Sequence, residues 1–268
     1  MNVFRRTFVP VLVATLSGCT ALAGEPVTVE PAVAIPVLAP ASPLPQPVEA
    51  TACIDGTLSL SRASVQRAKD AVADAVAAWP AVSGPAAVPS LDLRVRRIDG
   101  RSYAAGEVAR ASVPAVGPLL PEPAVDDPNF LEAVDRYETS KAARPPQFAT
   151  AVAAARRAAD AVRPLDLTAR ASEIAGCTSA AVESMDPAAA RRIIVWSDLV
   201  QTGTAQVAGD LTGVAVLVVQ VCDGDASQCA QHRDSFLKTV TARGGSASVV
   251  RPERAASVLL PFLRTGVA

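Results

Sequence analysis

The sequence predicts an α/β domain in which helices flank a central, mostly parallel sheet with one antiparallel edge strand. Short apolar runs alternate along the chain with longer stretches of helical period. Two of those runs, 193–196 and 214–221, are apolar but for Gln220, as parallel strands covered on both faces usually are. The Asp99-Gly100 turn between two alternating segments supplies the antiparallel pair.

In chain order, the run Thr51-Ala52-Cys53-Ile54 ends a first buried strand. Val65, Ala68, Val72, Val76 and Trp79 then recur at steps of three or four, so a helix begins near Ser61 and turns one face inward until Pro80 stops it. Leu91, Leu93 and Val95 alternate with Asp92, Arg94 and Arg96, which predicts a strand with one wetter face, and 107–113 reads as its hairpin partner. Ala-rich helices follow over 129–142, 147–162 and 172–185. After the two apolar strands, a helix over 231–243 stops at Gly244-Gly245, a short strand covers 248–251, and a C-terminal helix completes the domain. The folded part is expected to span 51–268, one domain of ordinary size.

Before it lie two segments of different character. Arg5 and Arg6 precede an apolar stretch that closes on Leu16-Ser17-Gly18-Cys19. That box resembles the signal of bacterial lipoproteins, which implies cleavage after residues 1–18, a diacylglycerol on the Cys19 sulfur, and an extracytoplasmic, membrane-anchored location in the cell envelope. An ordinary cleaved signal peptide is the alternative, and the apolar stretch is too short for a membrane span of roughly 20 residues. Residues 19–50 are dominated by Ala, Val, Leu, Glu and Pro, with prolines at 26, 31, 36, 40, 43, 45 and 47, a density that predicts an extended tether.

The chain carries 25 basic and 26 acidic residues, and removal of Arg5 and Arg6 leaves 23 against 26, a balance that implies no nucleic acid partner. Of its five cysteines, lipidation of Cys19 leaves an even four. Cys222 and Cys229 flank a short polar segment, so a local disulfide is expected there. Cys53 and Cys177 either form a second bridge or pack as buried thiols. Neither pair has zinc-site spacing, and His232 is the single histidine.

The order of elements resembles the von Willebrand factor type A fold, a doubly wound sheet, and the resemblance sharpens at three places. Asp55-Gly56-Thr57-Leu58-Ser59 follows the first strand, where that family carries Asp-x-Ser-x-Ser. Ser172-Glu173-Ile174-Ala175-Gly176 is similar to its Thr-Asp-Ile-x-Gly helix start, and Ser197-Asp198-Leu199 stands where it has Ser-Asp-Gly or Thr-Asp-Gly. The resemblance implies a binding module rather than an enzyme, with a divalent-metal (MIDAS-type) site. Thr57, Ser59 and Ser172 would offer hydroxyls, and Asp55 and Asp198 carboxylates, to Mg2+ (or Mn2+ or Ca2+). A protein partner's carboxylate would complete the shell. Such hard cations take oxygen ligands, which is why hydroxyls one residue apart on a tight loop suit them. Two departures stand out: Leu199 replaces the family's Gly, and Glu173 its Asp. A metal-free envelope scaffold is the alternative within the binding class.

A rival enzyme reading starts from Ile54-Asp55-Gly56-Thr57-Leu58, which also resembles the Asp-x-Asp-Gly-Thr motif of haloacid dehalogenase-like phosphatases. The nucleophilic Asp of that motif would fall at Cys53, and no Lys or Arg lies between Ser197 and Asp223 to balance an aspartyl phosphate. Nucleophile and cation are both missing, so the expectation is no phosphatase chemistry.

Overall fold

The computed structural model describes residues 45–81, 85–202 and 206–268. Residues 1–18, Cys19 and the expected tether as far as residue 44 lie outside the described residues. The elements run β1 (Val48–Asp55), α1 (Arg62–Ala77), β2 (Leu91–Ile98), α2 (Ser102–Ala105), β3 (Glu107–Val113), α3 (Phe130–Val162) and α4 (Ile174–Glu183). They continue through β4 (Ala190–Ser197), β5 (Val214–Gln220), α5 (Ala226–Ala242), β6 (Ser246–Val250) and α6 (Pro252–Thr265). One six-stranded sheet has the order β3-β2-β1-β4-β5-β6. Every neighbouring pair is parallel except β2 with β3, so the expected doubly wound sheet with one antiparallel edge strand is what the chain forms.

Alternation along each inner strand sends side chains to opposite faces, and two cores result. On one face Ala52, Ile54, Trp196 and Leu217 pack beneath α1, α3 and α6, while on the other Cys53, Ile193, Val195 and Val218 pack beneath α4 and α5. The α1 start follows the sequence closely: Ser61 caps it by accepting a hydrogen bond from the Ser64 amide at 3.1 Å.

Several boundaries differ from the sequence expectation. The first strand begins at Val48, so the last three residues assigned to the tether belong to the sheet, with Val48 and Ala50 buried. The wetter face expected for β2 is absent at its centre, since Arg94 and Arg96 are each only 7 % exposed, their guanidinium groups bonded to carboxylates and carbonyls. The helices expected over 129–142 and 147–162 are one helix, α3, which continues through Pro145 and Pro146. Proline removes two amide donors there, and the junction is latched from outside. The Arg144 guanidinium donates to the carbonyls of Ala86 and Gly117, and Gln147 accepts from the Gly117 amide. Helix α5 starts at Ala226, five residues early, because Asp225 is its N-cap.

Candidate metal-binding site

Strand order reverses beside β1, so the loops leaving β1 and β4 diverge from adjacent carboxyl ends and open a crevice between them. Ile54 pairs with Trp196 in that register, which brings the next residues, Asp55 and Ser197, side by side. Asp55 is completely buried. One carboxylate oxygen, Oδ1, accepts from the Thr57 amide at 3.0 Å and the Thr57 hydroxyl at 2.8 Å. The other, Oδ2, accepts from the hydroxyls of Ser172 at 2.7 Å and Ser197 at 2.8 Å. All four donors are neutral, and among the described residues no Lys or Arg pairs with this carboxylate.

Thr57 spends its only hydroxyl proton on Asp55, so in its 2.9 Å contact with Ser59 the Ser59 hydroxyl is the donor. Thr57 is buried and Ser59 exposed, so this hydroxyl pair runs from the carboxylate toward solvent.

Backbone packing fixes the loops. A Cβ on Gly56 would lie 1.6 Å from the Leu167 carbonyl oxygen, so only glycine lets the 165–172 segment lie against the first loop, where the Ala169 amide bonds the Gly56 carbonyl at 3.0 Å. The third loop ties on through Thr202, whose hydroxyl accepts from the Ser172 amide at 2.9 Å, and Gln201, which accepts from the Ala175 amide at 3.0 Å in the first turn of α4.

Leu199 has a φ of +64°, the left-handed region that favours glycine. The loop thus keeps a glycine-like backbone without a glycine. The conformation costs about 1–2 kcal/mol, and burial of the side chain, 4 % exposed in the core beneath α4, offsets that with roughly 1.5–3 kcal/mol. The Leu199 amide donates to the Ser197 hydroxyl at 2.9 Å, which aims that hydroxyl at Asp55.

Of the residues singled out from sequence, Asp55, Thr57, Ser59 and Ser172 come together in one hydrogen-bonded cluster. Asp198 does not join it: its carboxylate accepts from the Val200 amide at 2.9 Å. It instead lines, with Ser59, Asp223 and His232, a cleft of about 260 Å3 beside the cluster. Ser197 and Thr202 were not anticipated as site residues. The Ser-Asp motif contained the signal for Ser197, but the register that sets it against Asp55 is a property of the assembled sheet.

Both disulfides are present. Cys53 is joined to Cys177, which ties β1 to α4 across the buried core, and Cys222 is joined to Cys229, which ties the end of β5 to the first turn of α5 at the cleft. The Ser227 hydroxyl and the first amides of α5 hold the Asp225 carboxyl below the usual carboxylate range, which marks it as a cap.

Among the described residues no three His, Cys, Asp or Glu side chains gather into a metal-holding group. The donor set is instead hydroxyl-rich with one central carboxylate, a composition suited to a hard cation and not to zinc or copper. Adjacent ligands of an octahedral Mg2+ at 2.0–2.1 Å lie about 2.8–3.0 Å apart. The 2.9 Å separation of the Thr57 and Ser59 oxygens fits that edge.

No family profile and no curated protein sequence matches the chain. Among solved structures, one similar to it is a von Willebrand factor type A protein from Catenulispora acidiphila, at 12 % identity and TM-score 0.47, over 82 % of this chain and 43 % of that one. The chain thus corresponds to less than half of that protein's length. Manganese-loaded TRAP protein of Plasmodium vivax is similar at 10 % identity and TM-score 0.38, over 81 % of this chain and 74 % of that one. An aerotolerance-related membrane protein from Bacteroides fragilis is similar at 11 % identity and TM-score 0.36, over 82 % and 98 %. Function is therefore argued from the site.

Proposed function

We propose that this chain is a cell-envelope lipoprotein, anchored through Cys19, whose α/β domain binds a protein partner through a divalent cation at the carboxyl edge of its sheet. The observation that carries the reading is the Asp55 carboxylate, completely buried yet surrounded only by neutral donors. A buried charge is ordinarily paired. Here the pairing charge can come from a cation seated on Thr57 and Ser59, with Ser172 and Asp198 contributing directly or through water. A bound Mg2+ or Mn2+ would supply a Lewis-acidic point for a partner's carboxylate. The chain's own part is to orient the hydroxyls and to hold the negative charge behind them. The domain is a binding module and not a phosphatase: the position a phosphatase nucleophile would occupy is Cys53, which is bridged to Cys177.

Titration of Mn2+ into the full chain, followed by the loss of the free-ion electron paramagnetic resonance signal, tests the site. Saturable binding is expected for the parent chain and not for T57V/S59A. Equal uptake by both would overturn it. The metal-free scaffold reading draws on one observation, that the Asp55 oxygens already accept four hydrogen bonds within the domain, and it predicts no uptake by either. For the anchor, Cys19→Ala is expected to move the protein from the membrane fraction to the soluble one. Unchanged membrane association would refute it. Among the described residues no helix is long and apolar enough to cross a membrane.

A further inference from the structure

The cleft beside Ser59 shares a wall with a second cavity. Val221, Cys222, Asp223 and Cys229 line both, and the larger, of about 970 Å3, lies over the carboxyl ends of β5 and β6. That volume is at the upper end of the range for ligand-binding pockets, roughly 300–1,000 Å3.

The larger cavity is more basic than the cleft: three arginines line it beside Asp223 and Glu253, whereas Asp198, Asp223 and Asp225 line the cleft. Arg67 from α1, Arg233 from α5 and Arg251 from the turn before α6 all line it. Arg233 is occupied by its neighbour Asp234 at 2.8 Å. Among the described residues Arg67 pairs with Glu253, at 3.8 Å, with the two side chains 53 % and 70 % exposed, a pair too long and too wet to hold its partners firmly. Arg251 has no ion pair among the described residues. The α6 N-terminus, which begins at Pro252 and lacks a side-chain cap, faces the same space and adds its partial positive charge. Glu253 is the carboxylate that faces Arg67 in this cavity.

We propose that this cavity is a second anion pocket for the same partner, so that the domain recognises an acidic polypeptide segment at two points. One acidic side chain meets the cation at Thr57 and Ser59. A second, a few residues away, passes over the Cys222–Cys229 bridge and is held by the guanidinium groups of Arg67 and Arg251. Arginine suits the task because its planar fork matches a carboxylate with two parallel hydrogen bonds. The bridge keeps the shared wall in place, Asp198 keeps the metal end negative, the arginines make the other end positive, and Asp223 lies on the wall between them. The proposal rests on the metal reading for its first point of contact and on the arginines alone for its second.

The test uses two glycine-rich, C-terminally amidated fluorescent peptides, one with a single Glu and one with two Glu spaced by a few glycines. Anisotropy is measured on the full chain in Mg2+ and in EDTA. In Mg2+ the two-Glu peptide is expected to bind more tightly, and R67Q/R251Q to remove about tenfold or more of that advantage while leaving the single-Glu peptide unaffected. E253Q, which removes the competing carboxylate, should tighten the two-Glu peptide by a few-fold. If R67Q/R251Q, folded as judged by its melting temperature, binds both peptides as the parent does, the second pocket is wrong whatever EDTA does. If EDTA leaves the single-Glu peptide bound while R67Q/R251Q still weakens the two-Glu peptide, the metal reading falls and the arginine pocket stands. Absence of binding by either peptide overturns both.

Discussion

The two ends of the central strands handle their carboxylates in opposite ways. At the amino end, Glu49 of β1 and Asp92 of β2 share Arg94 at 3.3 and 3.4 Å, and Arg110 from β3 closes on Asp92 at 2.7 Å. Arg94 also donates to the Ser184 carbonyl at the end of α4. At the carboxyl end, Asp55 has hydroxyls and an amide but, among the described residues, no Lys or Arg, and the structure there is secured by a disulfide from Cys53, the close seat of Gly56 on Leu167, and the strained but buried Leu199. One end neutralises its acids internally and the other holds its acid in place without neutralising it. The same fold can do either, so the missing cation at Asp55 is a local feature of the crevice and not a general habit of this chain.

Removing what secures each end tests that contrast, and the covalent tie should matter most. Loop-closure entropy assigns about 5 kcal/mol to a bridge spanning 124 residues and about 2.5 kcal/mol to one spanning 7. C53A/C177A should therefore lower stability in denaturant titration by roughly twice as much as C222A/C229A. At the amino end, R94M leaves the half-buried Glu49 without a cation while Asp92 keeps Arg110, and should cost about 2–3 kcal/mol. D55N at the carboxyl end keeps one acceptor oxygen for the Thr57 amide and hydroxyl and presents an NH2 group to the Ser172 and Ser197 hydroxyls, which can rotate to accept, so it should cost no more than about 1–2 kcal/mol. Similar losses from R94M and D55N would erase the distinction drawn here.

Smaller effects sharpen it. L199G relieves the left-handed strain but forfeits a buried leucine and adds chain entropy, so a net loss of about 1 kcal/mol is expected. A gain in stability would mean that strain outweighs packing in that loop. The smallest effect is in acid. Burial pushes the Asp92 carboxyl up, but the hydrogen bond and charge of Arg110, with Arg94 and Ser112, outweigh it and hold the group below the usual carboxylate range. A depressed value in the folded state stabilises above the unfolded value of about 3.9 and is lost as pH falls through the folded one. D92N should accordingly flatten the fall of melting temperature below about pH 4 relative to the parent chain.

Much of this contrast was legible in sequence at the carboxyl end. The Asp55-x-Thr57-x-Ser59 spacing, the helix start near Ser61 and the apolar runs of β4 and β5 are local patterns, and local patterns survive folding. What stayed hidden depends on parts brought from afar. Ser197 reaches Asp55 only through the β1–β4 register, and Arg67, Arg233 and Arg251 meet only because three elements converge. Arg94 and Arg96 read as solvent-facing because alternation cannot show that a carboxylate or carbonyl waits on the inner face. The expected break at Pro145-Pro146 failed because Arg144 and Gln147 tether the junction to segments near 86 and 117. The glycine-like turn at Leu199 was signalled only as a departure from a motif, and its conformation needed the buried side chain to explain it.

The central claim is that Asp55 is held for a cation from outside, and calorimetric melting of the full chain with and without saturating Mg2+ tests it most directly. A ligand at a hundredfold excess over its dissociation constant adds about 2.7 kcal/mol of stability. The melting temperature is expected to rise by several degrees for the parent chain and not at all for D55N. An equal response from both chains, or no response from the parent, would contradict the claim.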